Sequence, residues 1–269
     1  MLRYGTTGPA VERLQRDLNR HRHDLEPDGV FGPATEAAVR TFQRKSDLVI
    51  DGLAGPKTQR ALQLGRDPKA LRQIDLVGAA NTLEVELAAI MAINEVESRG
   101  AGFHHGGQAD GEPVTLFERH IMRRRLIHYG INPEPYQRNR PNLVNVSPGG
   151  YVGGAREYLR LSAACEIHGE SALESASWGL FQIMGFHWRG LGYASVGHFA
   201  EAMRASEGRQ LEAFVRFIEG DRALHAALAR LDWRDFARRY NGPDFERNDY
   251  DTKLAAAYRR HSHALEQAA

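Results

Sequence analysis

Two carboxylates stand two residues apart in "INEVESRGAGF", Ile93 to Phe103, at the tail of a long apolar run. A helix turns about 100° per residue, so Glu95 and Glu97 point to opposite sides and cannot share one cleft. On a wheel started at Leu83, Glu97 falls in the apolar sector with Leu87, Ile90 and Ile93, whereas Glu95 lies beside Glu84 on the polar side. Glu86 also falls in the apolar sector. The wheel therefore expects Glu95 at the surface and Glu97 turned inward, where Ser98, Gly100 and Gly102 open the backbone. Desolvation disfavours a charged carboxyl. An acid that keeps its proton can deliver it to a leaving oxygen as a glycosidic bond breaks, which makes Glu97 the candidate general acid.

The elements that must position such a group begin with a repeat. "DGVFGPATEAAVRTFQ" starts at Asp28 and "DGLAGPKTQRALQ" at Asp51. In each copy Asp-Gly makes a turn, a second glycine enters the helix, and Pro33 or Pro56 occupies the first helical turn, where its missing N–H costs nothing. Val11, Leu14, Gln15 and Leu18, and then Thr35, Ala38, Val39 and Phe42, recur at helical spacing. The pattern is three short helices joined by turns. It resembles the small peptidoglycan-binding module found at the ends of cell-wall lytic enzymes, over residues 1–64. Residues 65–71, opening with "GRDPKA", are expected to be a linker to a larger body at 72–269.

In that body helical periodicity dominates and alternating strands are scarce. Helices are expected over 74–98, 115–128, 153–167, 209–219, 221–230 and 247–263, so the fold class is all-α, or mainly α. The Pro-, Asn- and Gly-rich stretch between Gly130 and Gly154 is either a functional loop or a missed element.

Two later segments, "SWGLFQIMG" from Ser177 and "RRYNGP" around Tyr240 and Asn241, join the Glu97-Ser98 pair in chain order. The three together resemble the lysozyme superfamily, in the form of goose-type lysozymes and soluble lytic transglycosylases. With "TLFERHIM" from Thr115 they resemble more closely the N-acetylmuramidase domain of modular phage endolysins. The resemblance implies a lysozyme-like helical domain that cuts the β-1,4 bond between N-acetylmuramic acid and N-acetylglucosamine. It implies Glu97 as general acid and Ser98 as a residue setting its geometry. Phe181 and Gln182 would form one cleft wall, and Tyr240 and Asn241 would line the other. Phe181 and Trp178 could instead be core residues, and Tyr240 a buried tyrosine with a satisfied hydroxyl.

A second carboxylate is not announced. Retaining glycosidases hold it about 5 Å from the acid and inverting ones roughly 6.5–9.5 Å away. Glu118 is the leading candidate, Asp110 and Glu112 lesser ones, and Glu118 could instead pair with Arg119. The alternatives are a lytic transglycosylase forming 1,6-anhydromuramic ends and a non-catalytic wall-binding virion protein.

The 269 residues carry a formal charge of +1, which gives no electrostatic case for nucleic acid. One cysteine, Cys165, excludes an intramolecular disulfide. His104, His105 and Asp110 are the nearest approach to a zinc set but follow no recognised zinc pattern, so neither metal nor cofactor is expected. The N-terminus lacks a signal peptide's basic and apolar segments, and no apolar run approaches membrane-spanning length. The expected picture is a monomer made in a host cytoplasm that reaches peptidoglycan in the periplasm after a holin opens the inner membrane, without inserting stably into it.

Overall fold

The computed structural model describes residues 1–97, 100–242, 246 and 248–267. Among them are fourteen α-helices and one three-stranded sheet, a mainly α architecture. The chain divides into two compact units, residues 1–100 with 223–269 and residues 101–222.

The first unit opens with α1 (Pro9–Arg20), α2 (Pro33–Lys45) and α3 (Pro56–Leu64). Each helix follows a glycine, Gly8, Gly32 or Gly55, and starts on a proline preset for helical geometry. Val11, Leu14, Leu18, Phe31, Val39, Phe42 and Leu62 pack into one core. Burying each large apolar side chain contributes roughly 1.5–3 kcal/mol.

The repeat has a common lock. Gln15 Nε2 donates to Asp28 Oδ1 (2.8 Å), the Val30 carbonyl and Thr35 Oγ1, while its Oε1 accepts from the Gly29 amide. Gln43 makes the same four bonds to Asp51 (2.6 Å), the Leu53 carbonyl, Thr58 and the Gly52 amide. Both turn glycines have positive φ, 71° at Gly29 and 74° at Gly52, a conformation glycine adopts without strain.

The stretch expected to be a linker is fastened down. Arg66 pairs with Asp47 at 3.1 Å, Ala70 packs on the core of the three helices, and Leu71 is fully buried. Just beyond it the Gln73 side chain accepts from the Ile50 amide at 2.9 Å.

The helix expected over 74–98 is two helices, α4 (Gln73–Thr82) and α5 (Leu87–Glu97), bent 118° apart. Glu84 breaks the helix in a left-handed conformation (φ 51°), and His225 Nε2 bonds the Leu83 carbonyl at 2.7 Å, holding the end of α4 open. α5 is buried on all sides from Ala88 to Asn94.

The second unit holds β1 (Thr115–Phe117), α6 (Arg119–His128), α7 (Glu134–Asn139), α8 (Ala155–Cys165), α9 (Gly169–Glu174), β2 (Ala176–Trp178), β3 (Ile183–Met184), α10 (Val196–Ala205) and α11 (Glu207–Gly220). The strands form an antiparallel sheet in the order β1-β2-β3, with Leu116 opposite Ser177. The expected helix at 115–128 thus begins as a strand, because its first three residues pair with a segment sixty residues later.

Part of the 130–154 stretch is helical, as α7. The rest is pinned by Arg119, whose guanidinium donates to the carbonyls of Pro141, Ser147 and Pro148. It ends on the buried pair Glu157–Arg160, in which Glu157 accepts from the amides of Val152, Gly153 and Phe117.

The chain returns to the first unit through α12 (Arg222–Ala229), α13 (Trp233–Asn241) and α14 (Tyr250–Glu266). α14 lies along α5, where the Tyr258 hydroxyl donates to Glu86 at 2.7 Å. Glu86, which the wheel placed in the apolar sector beside Glu97, instead precedes α5 and is exposed, with this bond as its partner.

Candidate active site

Glu97 is the last residue of α5, and Asn241 is the last residue of α13. Although 144 positions apart in sequence, they meet: Asn241 Nδ2 donates to Glu97 Oε1 at 3.0 Å. Tyr240 precedes Asn241 and stacks its ring on Phe236, 5.8 Å between centroids. The residue is half-buried. Burial, and then the negative charge of Glu97, push the Tyr240 phenol well above its ordinary value, so it stays protonated and can donate a hydrogen bond. Ser98 lies outside the described residues.

Glu95 departs from the expectation of an ordinary surface residue. Its side chain is only 12% exposed, with Arg260 Nη2 at 2.5 Å and His261 Nε2 at 2.9 Å. The wheel was right that it turns away from Glu97, but the face it turns to is covered by α14. Burial pushes its pKa up; the His261 hydrogen bond and the Arg260 charge outweigh this and hold the carboxyl below its usual range. A carboxylate held ionised by two donors is a poor proton source, and this separates the two glutamates chemically.

In the second unit, "SWGLFQIMG" forms β2, a tight turn and β3. Phe181 is 3% exposed and stacks on Phe214 at 4.5 Å, so its ring packs inward rather than towards solvent. Gln182 sits in a left-handed conformation (φ 50°) with its amide engaged: Oε1 accepts from Ser177 Oγ at 2.8 Å, and Nε2 donates to the carbonyls of Gly179 and Val114. Trp178 is buried.

Glu118 follows the last residue of β1 and is the N-cap of α6 rather than lying within a helix. Both its oxygens accept from the Tyr151 hydroxyl at 2.9 Å, and His120 Nδ1 lies 3.2 Å from Oε2. It does not pair with Arg119, whose donors are spent on the loop carbonyls. Of the lesser candidates, Asp110 accepts from the Gly106 amide and Glu112 lies 3.4 Å from Arg204.

Sequence reasoning passed over Gln210 and Glu207. Gln210 Oε1 accepts from the Leu180 amide at 2.8 Å, bracing the turn that carries Phe181 and Gln182. Glu207 accepts from the Gly102 amide at 2.7 Å. A Cβ at Gly102 would come within 2.2 Å of Gln210 Oε1, and one at Gly179 within 2.4 Å of its Cδ. The glycines on either side of Gln210 were visible signals of a close approach; the residue approached was not.

Residues 86–262 match the family model described as N-acetylmuramidase, and residues 7–62 match that of a peptidoglycan binding domain. Fold and site therefore define a peptidoglycan-degrading enzyme with a wall-binding module at its N-terminal end. The chain belongs to the N-acetylmuramidase family. Its modular organisation is that of an endolysin. Among solved structures it is similar to the crystal structure of the Burkholderia AP3 phage endolysin, with 49% identity and a TM-score of 0.90 over 97% of this chain and 99% of that one. No curated protein matches the chain.

Proposed function

We propose that the chain cleaves the β-1,4 bond between N-acetylmuramic acid and N-acetylglucosamine, with Glu97 as general acid. The observation that carries this is the hydrogen bond from Asn241 to Glu97, which joins two motifs separated by most of the catalytic sequence. Asn241 fixes one carboxyl oxygen. Tyr240, kept protonated by burial, presents a neutral donor beside it, and the buried body of α5 limits solvation of the acid. In this reading Glu97 gives its proton to the glycosidic oxygen as the bond breaks, and water completes the hydrolysis at the muramic carbon. Phe181 and Gln182 act by shaping the turn, since the ring and the amide are both engaged within their own unit. Glu118, oriented by Tyr151, is the candidate second carboxylate. The enzyme acts as a monomer on wall reached after a holin opens the inner membrane.

The test is mass spectrometry of the soluble products released from purified peptidoglycan, with wild type beside Glu97→Gln. Reducing muramic ends from the wild type, and a rate lower by about 10²–10⁴-fold in the variant, are the expected results. Anhydromuramic ends would make the enzyme a transglycosylase, and peptides released from intact glycan would refute glycosidic chemistry altogether.

A further inference from the structure

We propose that His261 is a positioning residue for the reaction: by holding Glu95 it fixes the rotation of the last turn of α5 and so aims Glu97. The inference rests on the assignment of Glu97 as the acid.

α5 ends at Glu97, and the chain beyond reaches Gly100 with φ 86°. The last carbonyls of a helix have no partners within it, so such an end frays unless side chains from elsewhere hold it. Here the end is gripped on opposite faces. Asn241, from α13, holds Glu97; His261 and Arg260, from α14, hold Glu95. The two glutamates project about 200° apart around the axis. A grip on one side alone would restrain the helix end from lifting but would leave it free to roll. Two opposed grips prevent both motions.

His261 is the inner member of the second grip. It is 3% exposed, whereas the Arg260 side chain is 45% exposed and reaches Glu95 from the solvent side. A buried imidazole donor is the better orienting group, because water cannot compete for the carboxylate. The second repeat turn supports it, since the half-buried Asp51 carboxyl lies close enough to His261 and Glu95 to interact electrostatically with both. Neither His261 nor Glu95 touches the bond being broken. Their effect is on where the acid stands, and misplacing a catalytic group by about 1 Å can cost roughly 100-fold.

The experiment uses the full chain and a short soluble N-acetylated peptidoglycan glycan, reading kcat and KM separately, with the thermal midpoint recorded for each variant. His261→Leu, which removes the donor at similar volume, should lower kcat by about ten-fold or more with KM within about two-fold. His261→Gln, whose amide can replace Nε2, should recover most of that loss. Glu95→Met should reproduce the leucine variant, and it carries the test if His261→Leu fails to fold. Wild-type kcat in folded His261→Leu or Glu95→Met overturns the proposal, as does a loss that glutamine does not restore. Glu97→Gln is run in parallel. If it keeps its kcat, the acid assignment fails and takes this inference with it. If it is inactive while His261→Leu is unimpaired, only the inference fails.

Discussion

The two Asp-Gly turns of the N-terminal module share every internal hydrogen bond and differ in what surrounds them. Around the first, Asp28 is exposed, and the Val30 amide and Gln15 side chain that donate to it hold its carboxyl below the usual value of 3.8. Around the second, Asp51 is half-buried. Burial drives its carboxyl above 3.8 in spite of the matching bonds from Leu53 and Gln43. Local sequence therefore dictates the turn, and the neighbourhood dictates its chemistry. Both turns belong to the unit that carries the acid, but the first is left open to solvent, whereas the second lies within electrostatic reach of Glu95 and His261.

The largest test of this contrast is removal of the two locks. Gln43→Ala strands Asp51, Thr58 and the Leu53 carbonyl where water is scarce, and should cost about 3 kcal/mol in urea unfolding. Gln15→Ala leaves partners that can rehydrate and should cost about 1–2 kcal/mol. Equal losses would break the comparison.

The pH dependence should then split in sign. A depressed folded-state pKa contributes stability above 3.8 that is lost as pH falls through the folded value, so Asp28→Asn should flatten the acid limb of the wild-type stability curve. A raised one contributes stability below 3.8 that is lost as pH rises through the folded value. Asp51→Asn should therefore match or exceed the wild type from about pH 4 upward, by a margin that widens with pH. Melting midpoints between pH 3 and 7 would show whether the two slopes are opposite.

The smallest effect belongs to the threonines. Thr58→Val removes a donor to the carbonyl of Leu53, which is 8% exposed, and should cost about 1 kcal/mol. Thr35→Val removes the same bond to Val30, which is 47% exposed, and should cost less. Thermal midpoints of the two variants measure the difference.

Much of this was legible in advance. Glycine followed by proline marked three helix entrances, and the Glu-Ser, Gly-Leu-Phe-Gln and Tyr-Asn phrases marked the residues to look for. What stayed hidden depended on distant partners. Leu83 to Glu86 has ordinary helical residues, and it takes His225 on the Leu83 carbonyl to show that the helix stops there. Thr115 to Phe117 becomes a strand only against Ala176 to Trp178. Glu95 looked like surface because a wheel sees one helix at a time, and α14 begins more than 150 residues later. Gln15 looked like a routine face position and Gln43 drew no reading, although each precedes an Asp-Gly turn with a threonine seven residues after the aspartate, a cue that could have exposed the lock.

The anchored stretch at 65–71 matters for anyone recombining such modules. With Arg66 on Asp47, Leu71 buried and Gln73 bonded to Ile50, a protease has no slack loop to enter there, and a splice at that point cuts through packed structure. A chimera that exchanges the first 64 residues alone would inherit a seat shaped for a different occupant; the natural unit of exchange includes the helices beneath it.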